Sequence, residues 1–404
     1  MAKTQREFPL DRFQREAIEA FDAGESVLVS APTGAGKTVI AEHAIERMLE
    51  ANQRMFYTSP IKALANQKFR DFGARYGIEN VGLLTGDLTI RGSAPVVVMT
   101  TEVLRNMLYE GSGRVRGLGC VVLDEVHYLQ DKQRGPVWEE VLLNLPRDVR
   151  TVSLSATVSN VAEFVDWLTA VRGPTRLVEE RTRPVPLRHL FAATHKESRY
   201  IHREPLLKGR RLAVQSEKFR PERSSAKKGG SRARNDRDRD RGRRGGRDKR
   251  PTSKWAPPRR SELVDDLIAD EQGPVIWFIF SRAGCDEAVQ QCRRAGLRYT
   301  DDDEADELAA ILHDATSDID DDDWYSLGLD EWQESFEAGV ASHHAGLIPA
   351  VKEAVEKAFA RGLISAVFAT ETLALGVNLP ARTVVLERLI KFNGETHEML
   401  TPLQ

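Results

Sequence analysis

The chain has 404 residues, a hydrophobic fraction of 41% and a formal net charge of −3 at pH 7. At roughly 150 residues per domain it holds two or three globular domains, and no run of about 18 apolar residues offers a membrane span. The N-terminus lacks the apolar core of a signal peptide, and Cys120, Cys285 and Cys292 offer neither metal spacing nor a disulfide framework, so a cytoplasmic protein is expected.

The first element that carries chemistry is Phe8-Pro9-Leu10-Asp11-Arg12-Phe13-Gln14. A glutamine amide donates and accepts at once, which suits the N7 and N6 edge of adenine, so Gln14 favours ATP over GTP. An exposed glutamine at a helix start explains the residue equally well. Residues 26–30 then read as a short buried strand, and Val39-Ile40-Ala41 begins a helix. Between them Ala31-Pro32-Thr33-Gly34-Ala35-Gly36-Lys37-Thr38 is a phosphate-gripping loop. The backbone N–H groups of Thr33 to Gly36 close around phosphate oxygens, Lys37 reaches the β- and γ-phosphates, and the Thr38 hydroxyl serves Mg2+. Ala31 stands where the strict pattern has its first glycine.

Apolar runs at 27–29, 55–57, 96–99, 120–123 and 152–154 alternate with helical patterns such as 42–49 and 161–168, which predicts βαβ units and a parallel sheet. Three loops fall at strand ends or before helices: Thr58-Ser59-Pro60-Ile61-Lys62, Thr85-Gly86-Asp87 and Thr100-Thr101-Glu102. Their hydroxyls and N–H groups suit a phosphodiester backbone, and ordinary helix capping explains each one as well. Asp124-Glu125-Val126-His127 closes the strand 120–123, where ligands bind in open α/β sheets. Asp124 is placed to hold Mg2+ and Glu125 to orient and deprotonate an attacking water. Ser153-Leu154-Ser155-Ala156-Thr157 puts two hydroxyls, on Ser155 and Thr157, where they could couple the hydrolysis site to a second domain.

Residues 181–197 read as a connection with an extended crossing strand. Residues 218–250 carry 15 Lys/Arg against five Asp/Glu and read as a disordered basic linker, either a nucleic-acid tether or a solvated spacer. A second α/β segment starts near residue 261, with a buried strand at 275–280 and a helix at 284–295. Residues 300–323 carry 12 acidic residues and no Lys or Arg, and read as a solvated acidic insertion. A helix at 349–360 and strands at 366–369 and 383–387 follow. His343 and His344 face opposite ways if they lie on a strand, which argues against a shared metal.

In this company the motifs resemble a superfamily-two DExH-box helicase of the Ski-like branch, the group of RNA-exosome helper helicases and bacterial HelY-type enzymes. In the first domain the resemblance rests on Phe13-Gln14, 31–38, 59–64, 85–87, Thr100 to Arg105, 124–127, Asp131-Lys132-Gln133-Arg134-Gly135-Pro136-Val137-Trp138-Glu139-Glu140 and 155–157. In the second it rests on Phe280-Ser281-Arg282, His343-His344-Ala345-Gly346-Leu347, 368–380 and Lys391-Phe392-Asn393-Gly394. It implies an α/β fold of two RecA-like domains with parallel sheets: 1–180, a basic connection 181–260, and 261–404. It implies catalytic roles for Lys37, Asp124, Glu125 and His127, and nucleotide contacts from Phe13, Gln14, the loop 33–38, Gly376 and Asn378. Nucleic-acid contacts then fall to Ser59, Pro60, Lys62, Gly86, Thr101, Arg105, Ser281, Arg282, His344, Thr370 and Glu371.

The resemblance implies ATP-dependent 3′-to-5′ translocation on single-stranded RNA, in RNA processing or decay, with a decay nuclease or the ribosome as partner. A DNA repair helicase of the same branch and an ATP-driven scaffold that recruits such a partner are the alternatives. The family pattern continues with a Gln-x-x-Gly-Arg-x-Gly-Arg motif, and the sequence in hand stops at Gln404 where that motif would begin. The expectation is a fragment of a longer protein that binds ATP and hydrolyses it poorly.

Overall fold

A computed structural model of the chain describes residues 9–131, 134–158, 160–208, 211–212, 254–374, 379–392 and 396–400. The basic stretch 218–250, Lys132, Gln133, Gly376, Asn378, Asn393, Gly394 and residues 401–404 lie outside the described residues.

Helix α1 (Arg12–Asp22) starts at Asp11 with a capping box, in which Gln14 Oε1 accepts from the Asp11 N–H at 2.9 Å. Its apolar residues Phe13, Ala17, Ile18 and Phe21 recur at helical spacing and are buried. The chain then alternates β1 (Ser26–Ser30), α2 (Thr38–Glu50), β2 (Arg54–Ser59), α3 (Lys62–Tyr76), β3 (Val81–Leu84), β4 (Thr89–Ile90), β5 (Val96–Thr100), α4 (Thr101–Tyr109), β6 (Leu118–Leu123), α5 (Gly135–Asn144), β7 (Arg150–Ser155), α6 (Val161–Arg172) and β8 (Thr175–Glu179). These strands form one eight-stranded sheet in the order β4-β3-β5-β2-β6-β7-β1-β8, parallel except for β4. Phe13, Ile40, Tyr57 and Phe72 fill one face of the sheet, and Phe56, Leu104, Trp138 and Leu168 fill the other. Burial on both faces explains why the strands read as continuous apolar runs rather than alternating ones.

A small antiparallel sheet follows, built from β9 (Leu190–His195), β10 (Ile201–Pro205) and later β13 (Trp255–Ala256), in the order β10-β9-β13; β11 (Leu207–Lys208) and β12 (Arg211–Leu212) pair separately. Extended pairing therefore begins only at Leu190 of the expected crossing strand.

The second α/β unit contains α7 (Arg260–Ala269), β14 (Val275–Phe278), α8 (Arg282–Arg294), α9 (Asp302–Ala315), α10 (Asp321–Ser326), α11 (Leu329–Glu337), β15 (Val340–His343), α12 (Pro349–Ala360), β16 (Ala366–Ala369), α13 (Glu371–Ala374) and β17 (Thr383–Leu386). Its four strands are parallel in the order β15-β16-β14-β17. A hairpin of β18 (Ile390–Phe392) and β19 (His397–Met399) ends the described chain.

The acidic stretch 300–323 is not a solvated insertion. Its first part is α9, capped by Asp301 with Glu304 in a second capping box, and Asp302, Asp303 and Glu304 occupy the first turn. Carboxylates there complement the helix dipole rather than only repelling one another. Ala305, Leu308, Ile311 and Leu312 recur at helical spacing and are buried with Phe336 and Phe359 in the core of the second unit. The acid count hid an amphipathic helix.

Candidate nucleotide and nucleic-acid site

Parallel strands bring all their C-terminal ends to one edge, and the strand order divides that edge in two. β1, β7 and β6 are neighbours and carry the loop 31–38, the segment 155–157 and Asp124-Glu125. β2, β5 and β3 are neighbours on the other side and carry Ser59 to Lys62, Thr101 and Thr85 to Asp87.

In the phosphate loop, Gly34 and Gly36 have φ of +82° and +81°, a left-handed region that glycine enters without strain. A Cβ on Gly36 would lie 2.7 Å from Gln14 Nε2. That nitrogen donates to the Gly36 carbonyl at 3.1 Å, so Gln14 braces the phosphate loop, and it is buried rather than exposed. Both ends of its amide are engaged by protein, so an adenine would have to compete with Gly36. Phe13 is 3% exposed and packs in the core, so it supports this helix from inside and does not face a nucleotide. Lys37 Nζ donates to the carbonyls of Ala31 at 3.0 Å and Pro32 at 3.2 Å. Burial lowers its pKa, and the nearby charges of Glu125 and Asp124 act against that.

Asp124 is buried at the end of β6. Its Oδ1 accepts from the Glu125 N–H at 2.9 Å and its Oδ2 accepts from the Tyr57 hydroxyl on β2. Burial and the adjacent Glu125 charge push its carboxyl up to about 6, with the Tyr57 hydrogen bond opposing. A buried carboxylate held by a hydroxyl and a backbone N–H, with the Lys68 charge acting on it from a distance, suits a hard divalent cation, and the Thr38 hydroxyl is a second oxygen donor of the right kind. Glu125 has φ +51° and ψ +43°, a left-handed conformation rare outside glycine and often found at functional sites. Burial works to raise its pKa, but His127 and Lys37 outweigh this and the net direction is down.

His127 Nδ1 lies 3.2 Å from Glu125 Oε2 and 3.4 Å from the Ala156 N–H. The Ser155 carbonyl accepts from the Ala31 N–H at 3.1 Å. The segment 155–157 therefore touches both the phosphate loop and the acidic motif, while Thr157 itself is exposed.

On the other half of the edge, Lys62 Nζ pairs with Asp87 Oδ1 at 3.0 Å, and Thr85 Oγ1 donates to the same oxygen at 2.8 Å. Thr101 is fully buried and donates to the Ser59 carbonyl at 3.2 Å, so it fixes the loop instead of presenting its hydroxyl outward. Gly86 and Lys62 are exposed, Pro60 is buried, and Arg105 is half-exposed near Glu140.

In the second unit Ser281 is exposed and caps α8 by accepting from the Gly284 N–H at 3.2 Å; Arg282 and Glu371 are exposed. The Thr370 N–H donates to the His343 carbonyl at 3.2 Å. His343 and His344 do part to opposite sides: His343 Nε2 meets Glu356 on α12, and His344 Nε2 meets Asp286 on α8. His344 is 4% exposed and its Nδ1 accepts from the Gly346 N–H at 3.1 Å. Both its nitrogens are engaged, so it holds the loop 344–347 in shape and is not an outward contact. Tyr57 was missed by sequence reading, since a tyrosine inside an apolar strand carries no signal that its hydroxyl reaches the next strand.

Residues 11–164 match the DEAD/DEAH box helicase family. The chain is 50% identical over 410 residues to "Probable helicase HelY" of Mycobacterium tuberculosis, covering 98% of the chain and 43% of that protein. It is 42% identical to the "DExH-box ATP-dependent RNA helicase DExH15 chloroplastic" of Arabidopsis thaliana, over 98% of the chain and 35% of that protein. It is 38% identical to the human "Exosome RNA helicase MTR4", over 98% of the chain and 36% of that protein. The chain thus spans less than half the length of these relatives.

Proposed function

The chain belongs to the DEAD/DEAH box helicases and matches their Ski-like, superfamily-two branch, and on that premise we propose that it is the ATP-driven motor of an RNA helicase that translocates 3′ to 5′ on single-stranded RNA in RNA processing or decay. The observation that carries this reading is the divided sheet edge, with phosphate-loop, acidic and coupling residues on β1, β6 and β7 and backbone-gripping loops on β2, β3 and β5.

Lys37 neutralises the β- and γ-phosphates of ATP, and the N–H groups of residues 33–36 cradle them. Thr38 and Asp124 would hold Mg2+, which when bound would offset the charge of the phosphates. Glu125 takes the proton of the attacking water, and His127 Nδ1 donates to its carboxylate beside Ala156. Lys62, Gly86, Ser281, Arg282, Thr370 and Glu371 line the strand path, where backbone contacts give low sequence specificity; Ser59 is fully buried with its hydroxyl donating to the Ile61 carbonyl at 2.9 Å, so it shapes that loop from inside. A decay nuclease or the ribosome is the partner this activity serves, in the cytoplasm. Among the described residues no helix is long and apolar enough to cross a membrane.

The test is RNA-stimulated ATP hydrolysis by the chain and by Glu125→Gln. Stimulation by single-stranded RNA, lost in Glu125→Gln with ATP binding retained, supports the reading. Equal or stronger stimulation by DNA of the same sequence would replace RNA with DNA, since only the 2′-OH separates the two. Hydrolysis that ignores both polymers, together with no ATP-dependent change in the affinity for either, would end it.

A further inference from the structure

The small sheet β10-β9-β13 belongs to neither large sheet, and its two faces differ in chemistry. Side chains alternate along a strand, so Ala192 and Thr194 share one face with their partners Arg203, Ile201 and Ala256. That face docks on the second unit. Ala192 and Ile201 pack against its core, and Arg203 pairs with Asp266 at 3.3 Å and with Asp270.

The opposite face carries a row of rings, with Glu204 opposite Phe191 at its far end. His202 lies opposite Ala193 and Trp255 opposite His195. Their rings meet edge to face, His202 with Trp255 at 4.7 Å and His195 with Trp255 at 5.1 Å between centroids. Tyr200 continues the row, 4.8 Å from His202, and its ring is 64% exposed. The turn 196–199 at its edge exposes Lys196 and Arg199 against one carboxylate, Glu197. The sequence that precedes β13 carries 15 Lys/Arg against five Asp/Glu within 218–250, so positive charge is joined to this sheet in sequence.

A ring whose purpose is only to hold the sheet has no need to remain open to solvent. An exposed tyrosine backed by the half-buried rings of His202 and Trp255 and edged by cations is the chemistry of single-strand recognition: a base stacks on the open ring, and cations hold the backbone. We infer that the outer face of this sheet is an accessory single-stranded RNA platform, separate from the motor track, on which a base stacks against Tyr200 beside His202. The inference rests on the helicase reading above and deepens it. It lengthens the RNA footprint without adding sequence readout, because every base has a face to stack.

The test uses the full chain and two labelled single-stranded RNAs in fluorescence anisotropy, one short enough to fill only the motor track and one long enough to reach the sheet. Tyr200→Ala weakens the long RNA about tenfold and leaves the short one unchanged, while Tyr200→Phe, which keeps the ring, binds both normally. Lys196→Glu weakens the long RNA and flattens its salt dependence. An unchanged melting temperature in Tyr200→Ala shows that the sheet still folds. If Tyr200→Ala binds both RNAs as the parent does, or weakens both alike, the platform is refuted while the motor stands. A parent chain that binds neither RNA overturns the helicase reading itself.

Discussion

The Tyr57 hydroxyl on β2 donates to Asp124 Oδ2 at the end of the adjacent β6, so the acidic residue of the nucleotide half is held from the strand that begins the nucleic-acid half. Burial holds the Tyr57 phenol well above its ordinary pKa, with the Asp124 charge adding to this, so it remains a donor. Tyr57→Phe keeps the edge-to-face packing on Phe72 and removes only that donor. A buried acceptor left without its partner costs about 1–3 kcal/mol. The unfolding free energy from urea titration should fall by that amount, and by less with Mg2+ and ATP present. An unchanged midpoint in the free protein would show that Asp124 does not depend on Tyr57.

Gly36 faces two separable demands, its φ of +81° and the 2.7 Å approach to Gln14 Nε2. Gly36→Ala should weaken ATP binding by more than the roughly five- to thirtyfold that the backbone strain alone costs. Adding Gln14→Ala removes the contact but not the backbone strain, which is about 1–2 kcal/mol for a residue with a Cβ. The double variant should therefore recover binding only in part, by isothermal titration. Full recovery would assign the whole requirement to Gln14.

His127 touches both Glu125 and Ala156, so it links hydrolysis to the segment 155–157. Losing a hydrogen bond to a charged group costs about 1.5–3 kcal/mol, which is roughly ten- to hundredfold in rate if it is felt only in the transition state. His127→Ala should lower RNA-stimulated kcat by that factor and leave the Kd for ATP unchanged. A matching change in Kd would place His127 in nucleotide binding instead.

The phosphate loop, the acidic motif and the parallel strands were legible because each is local: glycines at fixed offsets, carboxylates at a strand end, apolar runs between helices. Phe13 and His344 were read as contacts because motif membership does not say which way a side chain points. The amphipathic face of α1 turns Phe13 into the core, and Asp286 from a helix 58 residues away in sequence captures His344. The acidic stretch misled for the converse reason. Its charge was conspicuous, while the spacing of Ala305, Leu308, Ile311 and Leu312 was not.

Asp286 Oδ1 accepts from Ser342 and His344, both at 2.9 Å, and Trp332 Nε1 donates to Ser342 Oγ at 3.3 Å. Burial pushes the Asp286 carboxyl up, but the His344 and Ser342 hydrogen bonds prevail and its pKa lies below the usual 3.8. A folded pKa below the unfolded one gives stability that is complete above pH 3.8 and is lost as pH falls through the folded value. Asp286→Ala should cost about 1–3 kcal/mol at neutral pH by orphaning two buried donors. Asp286→Asn keeps an acceptor and should cost less, while flattening the acid limb of the stability curve. An acid limb identical in Asp286→Asn would mean that other carboxylates set it.

Leu308 separates the two readings of the acidic stretch. It is fully buried on α9 among Phe336, Val355 and Phe359. If the stretch were a solvated insertion, truncating an apolar side chain there would cost nothing measurable. As part of the core, Leu308→Ala should cost about 2–5 kcal/mol, from lost burial and the cavity left behind. Asp303→Asn on the exposed first turn should cost only about 0.3–1 kcal/mol, through the helix dipole, and less at high salt. Chemical denaturation of the two variants at low and high ionic strength distinguishes these outcomes. A Leu308→Ala midpoint equal to that of Asp303→Asn would remove α9 from the core and return the stretch to solvent.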